Sequence, residues 1–251
     1  MIDLNSDLGE GFGVYRLGDD EEILAVVSSA NVACGFHGGD PQVMARTVRT
    51  AVEKGVVIGA HVSYPDRAGF GRRYMDMTPE ELTWDIVYQI GALDGIARAA
   101  GGRVRYVKPH GALYNRIAVD PTQAAAVIDA IVAYDRNLPV LTLPGSAVIA
   151  AAADSGATTV TECFADRAYT SEGHLVPRSR PGAVIHDPAA VASRAVQLAR
   201  EGTVTSIDGT PVKVGARSMC LHSDTPGAAI LAVTIRAALG DAGVPIVPFA
   251  S

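Results

Sequence analysis

The feature that most constrains the fold is an alternation of short apolar runs with longer amphipathic segments, repeated about seven times along the chain. The apolar runs are predicted strands at residues 2–5, 30–35, 56–62, 104–107, 139–143, 158–163 and 216–221. Strands that alternate with helices predict a parallel sheet with helical crossovers. Because no G-x-G-x-x-G sequence follows the first strand, we favour a closed, distorted (β/α) barrel over a dinucleotide-binding open sheet. Residues 244–249 are a possible eighth strand.

Local capping patterns mark the starts of the helices. An Asp-Pro pair places an N-cap carboxylate before a proline at the first helical position, and it occurs at Asp40, Asp120 and Asp187. Residues 78–81, Thr-Pro-Glu-Glu, form a capping box. Asp40 therefore has a structural explanation, and we do not count it as a catalytic acid. Helices are predicted to begin at residues 41, 79, 121 and 188, with others over residues 19–29 and 145–155.

The stretch between the sixth and seventh strands departs from this alternation. Residues 174–185 are rich in proline, glycine and arginine, and residues 203–214 are typical of a β-hairpin that turns at Asp208-Gly209. We therefore expect a hairpin-containing insertion after strand six. A barrel of this length is commonly one domain, so we expect a single domain over residues 1–251.

Composition and charge argue against several classes of protein. The formal net charge of −6 argues against a nucleic-acid or anionic-membrane partner. The first residues lack the basic and apolar regions of a signal peptide, and no apolar run approaches the ~18 residues of a membrane span. Cys34, Cys163 and Cys220 include no C-x-x-C pair, which disfavours a disulfide framework or a zinc knuckle. We expect a reduced, cytoplasmic protein.

The fourth predicted strand ends in a lysine and a histidine two residues apart, Lys108 and His110. Side chains at this spacing on an extended chain point to the same face. The chain has only three lysines against eighteen arginines, so a lysine at the end of an apolar strand is unusual here. By itself a lone histidine is more often a core or surface residue than a catalytic one, but other predicted strands end in the same way.

Polar residues follow six of the seven predicted strands. They are Asp7, Glu10, His37, His61, Lys108, His110, Asp166, Arg167, His222 and Asp224. In a closed barrel the loops after the strands build the active site, so these residues are expected to converge on one mouth. The loop over residues 63–74 carries Arg67, Arg72 and Arg73, which suits a lid or an anion clamp as well as it suits a solvated basic loop.

Two chemistries fit such a mouth. In one, His61, His110 and Asp7 bind a divalent metal ion that activates water, although no two histidines have the spacing of a local ligand motif. In the other, Lys108 or Arg167 stabilises a developing oxyanion while a carboxylate or a histidine transfers protons. The dipeptide Gly-Lys never occurs, so ATP could not be held by a P-loop.

Six longer motifs resemble the LamB/YcsF family, and they run in order from the first residues to the last helix. They are DLNSDLGE at residues 3–10, ANVACGFHGGD at 30–40, GAHVSYPD at 59–66, VKPHGALYN at 107–115, FADRAY at 164–169 and HSDTPG at 222–227. Motifs of this length are highly specific, and none of them is broken.

The resemblance implies the A subunit of a prokaryotic ATP-dependent 5-oxoprolinase that acts with two partners, the B and C subunits of the same enzyme. Such a complex opens 5-oxo-L-proline to L-glutamate while ATP is hydrolysed to ADP and phosphate. ATP would be a co-substrate that the partners bind or share, and the need for a divalent metal stays open. The implied fold is a distorted seven-stranded β/α barrel, related to polysaccharide deacetylases and some glycoside hydrolases.

Coupling to ATP makes chemical sense, because a five-membered lactam is an unstrained amide and phosphorylation of its oxygen would create a better electrophile. Lys108, Arg167 and the arginines of residues 67–73 could neutralise the charges. The alternatives are a stand-alone metal-dependent deacetylase or amidohydrolase, and a non-catalytic scaffold that delivers substrate. We expect catalytic roles for Asp7, His61, Lys108, His110, Asp166 and His222. We expect substrate binding by Asn5, Glu10, His37, Arg72, Arg167 and Asp224.

Overall fold

Strands and helices alternate around a closed barrel in the computed structural model, which describes residues 1–221 and 227–251. Within these residues seven parallel strands close the barrel in the order β1-β2-β3-β4-β5-β6-β9, and β7-β8 form a separate antiparallel pair. The strands are β1 (Asp3–Leu8), β2 (Ser29–Ala33), β3 (Val57–Val62), β4 (Val104–Pro109), β5 (Val140–Thr142), β6 (Thr159–Phe164), β7 (Thr203–Thr205), β8 (Pro211–Lys213) and β9 (Ser218–Leu221). The helices are α1 (Asp20–Leu24), α2 (Pro41–Glu53), α3 (Pro79–Ala99), α4 (Gly111–Ile117), α5 (Pro121–Asp135), α6 (Ala147–Ser155), α7 (Pro188–Glu201) and α8 (Ala228–Asp241).

The predicted barrel and its insertion are confirmed. β9 pairs with both β1 and β6, which closes the sheet, and the β7-β8 hairpin lies between β6 and β9 in the chain. The predicted eighth strand is wrong. Residues 244–249 contribute one isolated bridge, between Ile2 and Ile246. Both edges of β1 are already occupied by β2 and β9, so a closed barrel leaves no edge on which a further strand could pair.

The capped helices begin where the local patterns predict. The Asp40 carboxylate accepts from the backbone N–H groups of Gln42 at 2.8 Å and Val43 at 2.9 Å, and the Thr78–Glu81 capping box forms in both directions. The prediction for residues 19–29 is too long, because α1 ends at Leu24 and Ser29 already pairs in β2. The prediction did not include α4, which follows β4 directly.

The first strand is longer than predicted, and this changes the placement of Asp7. The prediction ends the strand at Asn5 and puts Asp7 in a loop, whereas β1 continues to Leu8. The alternate residues Asp3, Asn5 and Asp7 point to one face, where they meet polar side chains of other strands. Apolar patterning ends the strand too early because this face of the barrel is polar.

The main hydrophobic core lies between the barrel strands and the surrounding helices. Leu4 and Leu8 of β1, Val32 of β2 and Ile90 of α3 are buried in it, along with many other aliphatic side chains. A smaller cluster forms inside the barrel and is made by Tyr106, Leu141 and Val160, with Phe249 packed against it. The remaining interior is polar, so the barrel holds a hydrogen-bonded network where many (β/α) barrels hold branched aliphatic side chains.

The two ends of the chain meet on one side of the barrel. Ile2 N–H donates to the Pro245 carbonyl at 3.0 Å, and Val247 N–H donates to the Ile2 carbonyl at 3.0 Å. The single domain over residues 1–251 stays a prediction. Among the described residues no single helix is long and apolar enough to cross a membrane, and α4 with α5 meet that criterion jointly only across a 112° bend.

Candidate active site

The strand ends open into a cavity of about 330 Å³. Six residues predicted to form the mouth line it: Asp7, Glu10, His61, Lys108, His110 and Arg167. His37 lies directly beside them, with its ring stacked on that of His110 at a centroid distance of 3.8 Å. Asn5 lies below the cavity in the barrel interior. The structure thus brings together residues from five different strand ends, as the barrel hypothesis predicts.

Three histidines surround the carboxylate of Glu10. From Glu10 Oε1 the distances are 3.1 Å to His37 Nε2, 3.5 Å to His110 Nδ1 and 3.9 Å to His61 Nε2. His61 Nε2 and His110 Nδ1 are 2.9 Å apart, and His61 Nε2 is also 3.4 Å from Asp7 Oδ2. The ligand-type atoms of Glu10 and the three histidines all lie within 4.8 Å of one another, an arrangement that could hold a metal ion.

The outward-facing nitrogen of each histidine has a partner of its own. His37 Nδ1 is 3.0 Å from Ser63 Oγ, His61 Nδ1 is 2.9 Å from the Lys108 carbonyl oxygen, and His110 Nε2 is 2.9 Å from the Phe70 carbonyl oxygen. These contacts fix the orientation of each ring. All three rings are almost completely buried.

Burial makes two of these histidines weak bases. Desolvation, followed by the neighbouring His61, lowers the pKa of His110 to about 3. Desolvation, His110 and His61 hold the pKa of His37 well below its usual value. Both rings are therefore neutral at pH 7, and each keeps one nitrogen lone pair.

Lys108 is a fixed, buried cation. Its Nζ lies 3.0 Å from Asp7 Oδ1, 3.2 Å from Glu162 Oε2 and 3.0 Å from Cys220 Sγ. Desolvation lowers the pKa of Lys108, but the nearby Asp7, Cys220 and Glu162 outweigh it, and the pKa lies well above its usual value. Lys108 therefore stays protonated, and it suits charge stabilisation better than proton transfer.

The network below the cavity contains residues that the sequence prediction missed. Glu162 is fully buried and accepts hydrogen bonds from the Tyr114 hydroxyl at 2.6 Å and from Asn5 at 3.2 Å. Asn31 donates to Asp7 at 2.8 Å and accepts from the Tyr106 hydroxyl at 2.6 Å. Glu162 and Asn31 lie within predicted strands, not at their ends, so a search limited to strand ends misses them. A polar residue on alternate positions of an apolar strand is the signal that could have found them.

The arginines of residues 67–73 do different things. Arg67 donates to the carbonyl oxygens of Gly39 and Gly35 and lies over the Phe12 ring, and Arg73 binds the carboxylate of Asp66. These two side chains hold the loop in place and do not line the cavity. Only Arg72 of the three does so. All three arginines were expected to neutralise charge at the mouth, but of the three only Arg72 is placed to do so.

The insertion after β6 adds positive charge to the other side of the cavity. Arg167 is buried and donates to the carbonyl oxygens of Val176 at 2.7 Å and Ala183 at 3.3 Å, and it lines the cavity together with Arg178. Arg178 is exposed and was not among the predicted site residues. The sequence feature that could have identified it is the arginine-rich composition of residues 174–185. Together with Arg72, these side chains make the cavity suitable for an anion.

Among the described residues, Asp166 does not line this cavity. Asp166 is buried and lines a separate cavity of about 130 Å³, beside Ile185 and His186. Its catalytic role stays a prediction. His222 and Asp224 lie outside the described residues.

Comparisons with known proteins agree on one family. Residues 2–251 match the LamB/YcsF family. The chain is 59% identical over 250 residues to a 5-oxoprolinase A subunit of Agrobacterium fabrum, and the match covers 100% of this chain and 98% of that one. It is 56% identical over 250 residues to the 5-oxoprolinase A subunit of Kocuria rhizophila, with coverage of 100% and 99%.

A solved structure gives the same result. The crystal structure of a lactam utilization protein from Thermus thermophilus superposes with a TM-score of 0.95 at 45% sequence identity, and 99% of each chain is covered. The similarity extends over the whole barrel and its insertion, so the site described above lies within the shared fold. The chain belongs to the LamB/YcsF family.

Proposed function

We propose that this chain is the A component of an ATP-dependent 5-oxoprolinase, which opens 5-oxo-L-proline to L-glutamate with hydrolysis of ATP to ADP and phosphate. The observation that carries the proposal is the near-complete alignment with proteins named as the A subunit of 5-oxoprolinase, at 55–59% identity. Such a name indicates a complex of several different subunits, and we propose that the B and C subunits are the partners. The cytoplasmic location stays a prediction.

The cavity supports a small anionic substrate. Its volume of about 330 Å³ lies at the lower end of small-molecule sites. Arg72 and Arg178 present guanidinium groups that suit a carboxylate such as that of 5-oxoproline. A cavity of this size suits the lactam better than the lactam together with a nucleotide. We therefore propose that ATP is bound by, or shared with, the partner subunits.

The residues have separable proposed roles. Lys108 and Arg167 stabilise negative charge on the lactam oxygen, because both are buried cations that line the cavity. His110 is assigned to proton transfer on its position, since it lines the same cavity and contacts His61 Nε2 at 2.9 Å. Asp7 orients Lys108 and contacts His61. Asn5 and His37 position these groups from below and beside the cavity, so their contribution to substrate binding is indirect, whereas Glu10 lines the cavity itself.

A coupled assay tests the proposal. Glutamate is expected from 5-oxoproline only when ATP, this chain and both partner subunits are present. Lys108→Ala and His110→Ala are expected to abolish it, while Lys213→Ala, on the exposed β8 strand, leaves it unchanged. Full activity in both cavity variants would refute the assigned roles.

The second candidate function is a stand-alone metal-dependent amidohydrolase, which the three buried histidines around Glu10 favour. This enzyme would turn over a small amide with a bound divalent ion and without ATP. Turnover by this chain alone, lost on chelation and unaffected by ATP, would support it over the 5-oxoprolinase component.

A further inference from the structure

The inner face of the histidine group presents nitrogen and oxygen atoms to a common point. His37 Nε2, His61 Nε2, His110 Nδ1 and Glu10 Oε1 lie within 4.8 Å of one another. They come from three separate strand-to-helix connections and from the end of β3, so only the closed barrel brings them together.

The outer contacts decide which nitrogen of each ring carries the hydrogen. A carbonyl oxygen can only accept, so His61 carries its hydrogen on Nδ1, facing the Lys108 carbonyl, and His110 carries it on Nε2, facing the Phe70 carbonyl. Ser63 Oγ donates to the Tyr64 carbonyl at 2.9 Å and is then the acceptor for His37 Nδ1–H. With the ring hydrogen directed at these outer partners, the inner nitrogen of each ring is the one available as a ligand.

This assignment creates an electrostatic conflict that requires a cation. His61 Nε2 and His110 Nδ1 would face each other at 2.9 Å with two lone pairs and no hydrogen between them. The Glu10 carboxylate lies 3.5 Å from His110 Nδ1 and adds negative charge at the same point. Four electron-pair donors converge with no donor hydrogen among them, and a positive charge at their centre removes the repulsion.

We propose that Glu10, His37, His61 and His110 form a binding site for one divalent transition-metal ion of the Zn²⁺ class. Imidazole nitrogens with one carboxylate suit zinc and similar ions, whereas Mg²⁺ and Ca²⁺ prefer oxygen ligands. Ligand atoms about 2.1 Å from one ion lie about 3 to 3.4 Å apart. The spacings of 2.9, 3.1 and 3.5 Å are close to this, and the 3.9 Å between Glu10 Oε1 and His61 Nε2 would have to shorten when an ion binds.

The outer contacts serve this site as well. Metal-bound histidines usually donate their other N–H to a carbonyl, a carboxylate or a hydroxyl, which is the arrangement of His61, His110 and His37. Because His61, His110 and Glu10 line the cavity, an ion held by them would border it. If the proposed function is correct, the ion would supply a Lewis acid at the cavity, and His110 would then be its ligand instead of the proton acceptor.

Metal binding by the purified full-length chain tests this inference without ATP, substrate or partner subunits. After equilibration with Zn²⁺ and removal of excess ion, elemental analysis is expected to find about one ion per chain. Titration with Co²⁺ is expected to produce visible absorption bands of a nitrogen-coordinated site. Glu10→Gln and His61→Gln are expected to weaken binding at least about tenfold. His174→Gln, which changes an exposed histidine outside the group, is the matched control.

Nitrogen-15 spectra of the histidine side chains provide a readout on the unmutated chain, so the test does not depend on a variant that folds. Without metal, His61 and His110 are expected to show the tautomers assigned above, and Zn²⁺ is expected to shift the inner nitrogens only. No stoichiometric ion in the unmutated chain, or unchanged affinity in both variants, would overturn the proposal. So would a doubly protonated His61 or His110 that Zn²⁺ does not alter, since a shared proton would then be the cation. Each of these results is independent of whether the assembled enzyme makes glutamate.

Discussion

Lys108 illustrates how a single residue can combine a structural with a functional role. The partly buried carboxylate of Asp7 and the fully buried one of Glu162 lie within 3.2 Å of its Nζ, and Asn5 accepts from it at 3.2 Å. A buried ion pair contributes little net stability compared with apolar groups of the same shape, but removal of one partner is costly. The network is therefore better explained by the charge it holds under the cavity than by stability.

Replacing Lys108 with methionine is expected to lower the free energy of unfolding by about 3 to 5 kcal/mol, because the cation between two buried carboxylates is lost. Chemical denaturation followed by circular dichroism measures this. Lys213→Met, at an exposed position, is the control. The double variant Lys108→Met with Glu162→Gln is expected to recover part of the loss, since one of the carboxylates is then neutral. Equal stability of Lys108→Met and the unmutated chain would contradict this account.

Substitution of Arg178 tests the proposed recognition of the substrate carboxylate. It lines the cavity while Arg180, two residues on in the same segment, does not. Arg178→Gln is expected to raise KM for 5-oxoproline about 10- to 100-fold with a smaller effect on kcat, because one charged hydrogen bond to the substrate is lost. Arg180→Gln is the matched control. The measurement is steady-state kinetics of the assembled enzyme, and equal KM values for the two variants would disprove the assignment.

At the scale of elements, the connection between β3 and α3 forms the wall over the histidines. Phe70 has a φ of 54°, unusual for a residue with a side chain, and its carbonyl binds His110 Nε2. Gly71 follows with a φ of 63°, and its carbonyl accepts from Ala112 N–H at 2.8 Å. The backbone passes so close to the site that it positions a histidine through a main-chain group.

Gly71→Ala is expected to displace this connection. A Cβ at this position would lie 2.8 Å from both His110 Cδ2 and His37 Cβ, in addition to the strain of the left-handed backbone. Gly145→Ala is the matched control, because Gly145 has a φ of 76° and open space around its Cβ position. We expect Gly71→Ala to lose at least about tenfold more activity than Gly145→Ala. Comparable kcat/KM values for the two variants would show that the close approach is unimportant.

The anchor of the same connection predicts a pH dependence. Asp66 accepts from Arg73 and from Gly69 N–H. The Arg73 side chain, helped by the backbone N–H groups of Gly69 and Arg73 and opposed by burial, lowers the pKa of Asp66 to about 2. Since the folded pKa lies below the unfolded value of 3.8, the carboxylate stabilises the fold above about pH 4. That stabilisation is lost as the pH falls towards 2.

Asp66→Asn is therefore expected to differ most from the unmutated chain above pH 4, and the difference in the free energy of unfolding is expected to shrink between pH 4 and pH 2. Urea unfolding at a series of pH values measures it. Asp76→Asn is the control, since Asp76 lies outside this contact and pairs with the exposed Tyr74. A difference that does not change with pH would mean that the Asp66 charge does not stabilise the loop.

At the scale of the whole molecule, the barrel is closed and buried whereas the insertion after β6 covers one side of its mouth. The strands β1 to β4 form ladders with one irregularity at Ile58 and Gly59, whereas residues 174–185 are mostly exposed and make only turns and isolated bridges. Arg167 holds this segment through two main-chain carbonyls. Its local stability is therefore expected to be lower than that of the barrel.

Amide hydrogen exchange of the isolated chain is expected to be slowest in β1 to β4 and at least about a hundredfold faster in residues 174–185. Binding of 5-oxoproline is expected to slow exchange in this segment through Arg178, while α2, on the barrel's outer face, serves as the internal reference. Uniform protection across the chain would contradict the expected difference. An unchanged exchange rate in residues 174–185 on substrate binding would mean that the insertion does not contact the bound substrate.

Much of the fold is encoded locally, which is why sequence patterns predict it. The Asp-Pro and Thr-Pro caps act on backbone groups two or three residues away, so the starts of α2, α3, α5 and α7 follow from short motifs. The positions of Lys108 and His110 follow from the rule that barrel strands carry their site residues at their ends. Residues 244–249 show the limit, because strand-like composition cannot reveal that no sheet edge remains.

The sequence by itself determined the strand and helix alternation, the family motifs and the residues at the mouth, because each depends on neighbours in the chain. Only the tertiary structure decided that Glu162 and Asn31 share the network of Lys108, that Arg67 and Arg73 hold a loop while Arg72 lines the cavity, and that Glu10 lies among three histidines. Apart from the local Arg73–Asp66 pair, these contacts join segments far apart in the chain, and the closed barrel brings them within hydrogen-bonding distance.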